Sequence, residues 1–108
     1  MRERDIERYL VGRVKELGGA CNKVAWVGRK NAPDRLVMLP QRFRQGAPGY
    51  YAILPKTIWV ELKNPDTIKT FPANAHERAQ DREHKRMRAM GQRVEVIGTI
   101  EQVEELLR

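Results

Sequence analysis

Cysteine is nearly missing from this chain. Cys21 is the single example in 108 residues, so no internal disulfide and no multi-cysteine zinc site can form. The simplest role for that thiol is a small, partly buried side chain. No apolar run approaches the ~20 residues that a membrane span needs. The opening Met1-Arg2-Glu3-Arg4-Asp5 lacks the apolar stretch of a signal peptide, so the expectation is a cytoplasmic protein. No basic amphipathic helix with bulky aromatics suggests lipid insertion. Neither a membrane nor a small-molecule substrate is expected. Repeats and low-complexity segments are also absent.

Charge is what the chain has. Lys and Arg number 21 against 14 Asp and Glu, a net charge of +7. An excess of that sign favours a polyanionic partner, with nucleic acid ahead of a lipid surface. Hydrophobic residues make up 41% and charged residues 32% of the chain, a balance that suits a folded protein. The length allows one domain, residues 1–108, around one modest core.

Periodicity supplies the elements. Ile6, Leu10, Val14 and Leu17 recur at helical spacing and predict a helix over 3–17, stopped by Gly18-Gly19. Glu7 falls at the edge of that apolar stripe and Glu3 inside it, where a carboxylate lies beside the core or snorkels to solvent. Strands are expected over 20–27 and 35–39, separated by a polar turn carrying Arg29 and Lys30. The stretch 41–56, with Gly46, Pro48, Gly49 and Pro55, reads as a long loop or irregular hairpin. Residues 57–62 form the strongest strand, rich in β-branched and aromatic residues. A second helix follows over 75–90, with Ala79, Glu83, Met87 and Met90 on its interior face and Gln80 on the flank. Its other side carries Arg78, Arg82, Lys85, Arg86 and Arg88. A strand over 93–97 leads to Thr99 and Gln102, which have capping-box spacing. The last helix buries Ile100, Val103, Leu106 and Leu107. The order is α-β-β-β-α-β-α, an α/β fold around one mixed sheet.

Acids stand where a core strand does not ordinarily carry them. Glu61 and Lys63, two residues apart, point to the same face of their strand, ~6–7 Å from each other. Leu62 points the other way, into the core, and leaves its carbonyl near the two charged groups. Asp34 follows Pro33 at the mouth of the preceding strand. If the two strands pair, Asp34, Glu61 and the Leu62 carbonyl can converge on one point. Hard oxygen donors of this kind suit Mg²⁺ or Mn²⁺ and not zinc. Taken alone, Glu61 and Lys63 fit equally a surface ion pair worth under ~1 kcal/mol. Pro-Asp before one strand with Glu-x-Lys at the end of the next is a much rarer combination. His76 and His84 are expected to be solvated.

Pro33-Asp34 followed by Glu61-Leu62-Lys63 resembles the signature of the PD-(D/E)xK nuclease superfamily. The finer pattern resembles its virus-type replication-repair branch, the VRR-Nuc domain. That branch has an acid in its first helix, Pro-Asp-Arg entering an apolar strand, Glu-x-Lys, a Gln in the next helix and a Gly before the last strand. Here these are matched by Glu7, Pro33-Asp34-Arg35, Glu61-Leu62-Lys63, Gln80 and Gly91. The long 41–56 segment departs from the pattern. The resemblance implies an αβββαβα restriction-endonuclease-like core, a central mixed sheet flanked by helices. It implies Mg²⁺ or Mn²⁺ held by Asp34, Glu61 and the Leu62 carbonyl, with Glu7 assisting through water. Lys63 would be catalytic, and Gln80 would position a neighbouring group. Stand-alone members of the branch resemble viral homodimers that act on branched DNA, including Holliday junctions, in repair or recombination. Arg29, Lys30, Arg35, Arg82, Lys85, Arg86 and Arg88 are the candidate DNA contacts.

The leading expectation is therefore a metal-dependent, structure-selective endodeoxyribonuclease. Its rivals are a non-catalytic basic nucleic-acid-binding module and a nuclease with little structure selectivity. Two carboxylates facing a polyanion are of no use to a module that only binds. A restriction-type enzyme would need base-reading elements for which so short a chain has little room.

Overall fold

The computed structural model describes all 108 residues. Helix α1, Glu3–Glu16, buries Ile6, Leu10 and Val14, one residue per turn along a single face. It ends at Gly18, whose φ of 80° is the left-handed conformation that glycine adopts freely. Gly19 then lets the chain press against the sheet: a Cβ there would lie 2.4 Å from the Met38 carbonyl oxygen.

Six strands follow in chain order: β1 (Ala20–Lys23), β2 (Arg35–Leu39), β3 (Arg42–Gly46), β4 (Gly49–Ile53), β5 (Lys56–Leu62) and β6 (Val94–Ile97). Four of them form the main sheet, in the order β1-β2-β5-β6. β1, β2 and β5 run antiparallel, and β6 joins β5 in parallel after a crossover through helix α2, Ala75–Ala89. One face of the sheet carries Val37, Leu39, Ile58, Val60 and Leu62, which pack with Ile6, Leu10 and Val14 of α1. Val103, Leu106 and Leu107 of helix α3, Ile100–Leu107, complete that core. The opposite face carries Leu36, Trp59, Glu61 and Val96 and receives α2. The order of elements and the mixed sheet between helices agree with the expected restriction-endonuclease-like α/β core. No helix is long and apolar enough to cross a membrane.

Four details differ from the sequence-based expectation. β1 stops at Lys23 instead of continuing to Val27: the last bond toward β2 runs from the Val24 N–H to the Asp34 carbonyl at 3.1 Å, and the chain then turns through Gly28 and Asn31, at φ values of 76° and 68°. Trp26 instead meets Trp59 edge-on, with ring centroids 6.2 Å apart. The 41–56 stretch is a regular hairpin of β3 and β4, paired from Arg42↔Ile53 to Gly46↔Gly49. Met90 lies outside the buried face of α2, which consists of Glu77, Gln80, Glu83, His84 and Met87. The Thr99 cap forms as expected, its hydroxyl accepting from the Gln102 N–H. The return bond closes one residue earlier, from the Gly98 N–H to Gln102 Oε1.

Candidate active site

Register brings the acids together. Arg35 stands opposite Val60 in the antiparallel β2–β5 ladder, so the residue before Arg35 comes level with the residue after Val60. Pro33 is fully buried, which anchors the approach of Asp34. The Asp34 carboxylate accepts a hydrogen bond from the Leu62 N–H at 2.7 Å and lies beside the Glu61 side chain. What the structure shows of Leu62 is thus its N–H, which holds Asp34 in place.

Glu61 is only 2% exposed. Burial, and after it the neighbouring Asp34, push its carboxyl up to about 9. At neutral pH and without a cation, the pair therefore retains a proton. On the far side, His84 is fully buried and its Nε2 lies 3.1 Å from Glu61 Oε1. Burial, reinforced by Arg88, pushes the His84 imidazole down, so the ring is neutral and can donate from Nε2 to an ionised Glu61. Phe71 stacks on the ring at 6.0 Å. The expectation of a solvated His84 is corrected: α2 carries it on its inner face, one turn beyond Gln80, against the face of the sheet that carries Glu61. His76 is exposed, as expected.

Lys63 is drawn to the same notch. Its Nζ donates to Gln80 Oε1 at 2.9 Å, lies 3.1 Å from Glu77 Oε2, and sits 5.3 Å above the Phe71 ring. An ammonium has three donors, so two are engaged and one remains for a further acceptor. Glu77 is itself fixed at the start of α2. Its N–H donates to the Asn74 side chain, and its Oε1 accepts from the Ala73 N–H. That backbone bond, with Lys63 beside it, holds its carboxyl below the usual range.

A second acid of α1, Glu3, is exposed but close enough to the site to interact with its charges. Burial and then Asp34 raise its carboxyl, and Glu3 in turn acts on Glu61. Glu7, the expected one, is instead engaged by Arg35, whose Nε donates to it at 2.9 Å. Glu3 was visible in the sequence, since it falls inside the apolar stripe. Glu77 was signalled by the Asn74-x-x-Glu77 spacing of a helix start. His84 had no signal beyond lying four residues after Gln80.

Several candidate DNA contacts have structural employment. Arg35 also donates to the Cys21 carbonyl at 3.0 Å and is largely buried. Arg88 clamps the Val94 carbonyl with two bonds. Arg29 and Arg86 both grip Glu83, whose carboxyl is held down chiefly by Arg29. Lys85 pairs with Asp81. Lys30 and Arg82 are exposed and engage no carboxylate.

The donors present fit a hard divalent cation. Asp34 and Glu61 offer two adjoining carboxylates, and burial together with Asp34 keeps Glu61 neutral in spite of Lys63 nearby. No group of three or more His, Cys, Asp or Glu converges, so any further ligands would be backbone oxygen or water, a pattern that Mg²⁺ accepts readily.

No family model matches the chain. It is 37% identical over 97 residues to "Putative nuclease p44" of Acyrthosiphon pisum secondary endosymbiont phage 1, covering 90% of this chain and 83% of that protein. A solved structure described as a VRR_NUC domain matches with a TM-score of 0.69 at 31% identity, over 97% of this chain and 92% of that one. The chain belongs to the VRR-Nuc family. It is a nuclease with that family's restriction-endonuclease-like fold. In this VRR-Nuc domain the acids stand at the ends of β2 and β5, and α2 supplies the side chains that hold Glu61 and Lys63.

Proposed function

We propose that this nuclease is a Mg²⁺- or Mn²⁺-dependent endodeoxyribonuclease that works as a homodimer on branched DNA such as four-way junctions, in repair or recombination. The observation that carries the proposal is the Asp34–Glu61 pair, with Glu61 buried and Asp34 half-buried, close to the Lys63 ammonium. Asp34, Glu61 and the Leu62 carbonyl would hold the cation. When bound, it supplies a Lewis acid for the scissile phosphate and lowers the pKa of a water. Asp34 is oriented by the Leu62 N–H and Glu61 by His84, so neither carboxylate must reorganise when substrate arrives. Lys63, braced by Gln80 and Glu77, directs its remaining N–H toward a phosphate oxygen, where charge builds in the transition state. Lys30 and Arg82 are free to meet the DNA backbone. One chain carries one such site, and paired cuts on two strands require two.

The test is cleavage of end-labelled four-way junction, flap, duplex and single-stranded DNA with Mg²⁺, Mn²⁺, Ca²⁺ or chelator. The expected result is cutting with Mg²⁺ or Mn²⁺, fastest on the junction, and binding without cutting in Ca²⁺. Equal cutting in chelator would overturn the metal chemistry. Linear duplex cut as fast as the junction would overturn the structure selectivity.

A further inference from the structure

The β3–β4 hairpin adds no fully buried residue to the core, yet one of its faces turns toward the body of the protein. The pairs Arg42↔Ile53 and Arg44↔Tyr51 set both arginines on that face, since alternate residues of a strand share a side. Arg42 reaches the last turn of α3, where its Nη2 donates to the Leu107 carbonyl at 2.7 Å. Between the hairpin and the C-terminal ends of α1 and α3 lies a cavity of about 400 Å³, whose charged lining is Arg13, Arg42, Arg44, Arg108 and Glu104. At ~30 Å³ per water, that is room for on the order of ten waters, ample for a phosphate group with its hydration.

The side-chain charges of this cavity do not cancel. Glu104 is taken up by Arg13, whose Nε donates to both of its oxygens at 3.1 Å. Arg108 has only the exposed Glu105 beside it, at 2.7 Å, a contact of the kind worth under ~1 kcal/mol. The hairpin brings no acid to answer Arg42 and Arg44, since none occurs from 41 to 56. Arg42 engages one of its five N–H donors in the Leu107 bond, and its buried Nε meets no acceptor on the protein. Lys56 adjoins the same group. Burial, and after it Arg93, Arg42 and Arg44, push its ammonium down, so the cations here repel one another. An anion entering the cavity relieves that repulsion. A guanidinium fork matches phosphate oxygens in pairs, and a phosphodiester chain is the polyanion that a nuclease meets.

We propose that this cavity holds a backbone phosphate of the substrate DNA away from the bond that is cut, gripped by Arg42 and Arg44 with Arg108 at its rim. The hairpin joins β2 and β5 at their Leu39–Lys56 end, about 15 Å of strand from the Asp34–Glu61 end. At the ~3.4 Å rise of B-form DNA, the two ends are at least about four base pairs apart. The arginines therefore position flanking DNA and do not touch the reacting phosphate. The proposal rests on the reading of the chain as a DNA nuclease and adds to it a phosphate site outside the active centre.

The test is binding of a labelled duplex to the full chain, measured by fluorescence anisotropy in chelator from about 50 to 300 mM salt. Arg44 is exposed, so Arg44→Gln removes one charge with the fold kept. Arg42→Gln/Arg44→Gln is the stronger variant, and thermal melts verify the folding of both. Arg44→Gln is expected to weaken binding at low salt roughly tenfold, the scale of one charge-assisted bond. It should also make the slope of log affinity against log salt shallower by ~0.9, and the double variant should lose more affinity. The wild type supplies a readout without mutation: the Arg42 Nε–H magnetic resonance should shift on adding duplex and stay in place with about 5 mM inorganic phosphate. An unshifted resonance in the DNA complex overturns the proposal, as does a folded Arg44→Gln protein with wild-type affinity and slope. An equal shift from inorganic phosphate alone would overturn it too, by making the cavity a site for the free anion. Mg²⁺-dependent nicking by the wild type, followed separately, judges the nuclease reading. Nicking with no resonance shift sinks the cavity alone, and a shift with no nicking sinks the nuclease reading alone.

Discussion

Glu61 is the residue on which most of the site depends, and its protonation makes the chemistry visible without substrate. Its carboxyl, pushed up to about 9 in the fold, returns to an ordinary value near 4.5 on unfolding. The folded state therefore holds the proton more tightly. That contribution to stability is complete below about pH 4.5 and is lost progressively as pH rises toward 9. In chelator, the melting temperature should fall across this window, and Glu61→Gln, which cannot ionise, should flatten the fall. Mg²⁺ should raise the melting temperature of wild type most at the alkaline end and that of the variant little. Thermal melts by circular dichroism at several pH values decide this, and an equal slope in both proteins would refute it. Lys63 depends on its neighbours in a different way. Lys63→Met should lower the cleavage rate by roughly 10²–10³-fold, the usual loss for a transition-state donor, while Gln80→Ala, which only loosens the lysine, should cost about 10–100-fold. On α1, Glu3→Gln should slow cleavage more than Glu7→Gln, and single-turnover rates under saturating Mg²⁺ compare the two. The opposite order would restore Glu7 to the site.

At the scale of elements, legibility followed the apolar pattern and failed where polarity was used inside. α1, β5 and α3 announced themselves through buried residues at periods of 3.6 or 2; Glu61 and Lys63 stood out because charge interrupts such a pattern, Asp34 because it follows Pro33 before a strand, and Gln80 only through the family resemblance. α2 was legible as a helix but not in its facing. Of its inner residues, Glu77 and Gln80 hold Lys63, His84 meets Glu61 and Glu83 takes Arg29, so an apolar-face criterion pulled Met90 inward and left His84 outside. The hairpin was half legible, since Gly46 and Gly49 marked its turn while its strands bury nothing and leave no alternation to read. Gly98 shows a constraint that pattern cannot reveal. A Cβ there would lie 2.6 Å from the Ile68 side chain and 2.8 Å from the Asn64 carbonyl oxygen, in the turn that directly follows Lys63. Gly98→Ala must displace that turn, and a cost of about 1–3 kcal/mol is expected from overpacking. Urea denaturation measures it, and a loss below about 0.5 kcal/mol would mean the turn yields freely.

For the whole molecule, the count of 21 basic residues overstates how many are available to DNA. Arg13, Arg29, Arg35, Lys85, Arg86, Arg93 and Arg108 face carboxylates of the same chain, and Arg88 is tied to the Val94 carbonyl. Basic residues therefore divide into those that hold the fold and those that remain for a partner, and the two classes should separate under mutation. Arg35 links α1 to the β1–β2 pair through Glu7 and the Cys21 carbonyl, so Arg35→Ala should lower the melting temperature and reduce DNA affinity only as far as the fold loosens. Lys30 and Arg82 lie exposed without a carboxylate partner, so Lys30→Ala/Arg82→Ala should leave the melting temperature nearly unchanged. Each phosphate that is no longer neutralised should reduce the slope of log affinity against log salt by ~0.9 on duplex arms. The pair of substitutions should therefore flatten that slope by up to about two units and weaken binding most at low ionic strength. Fluorescence anisotropy with labelled junction DNA in Ca²⁺, from about 50 to 300 mM salt, gives the slopes directly. An unchanged slope for the double variant, with a reduced one for a fully folded Arg35→Ala protein, would reverse the division and place the DNA along β2 instead of along α2.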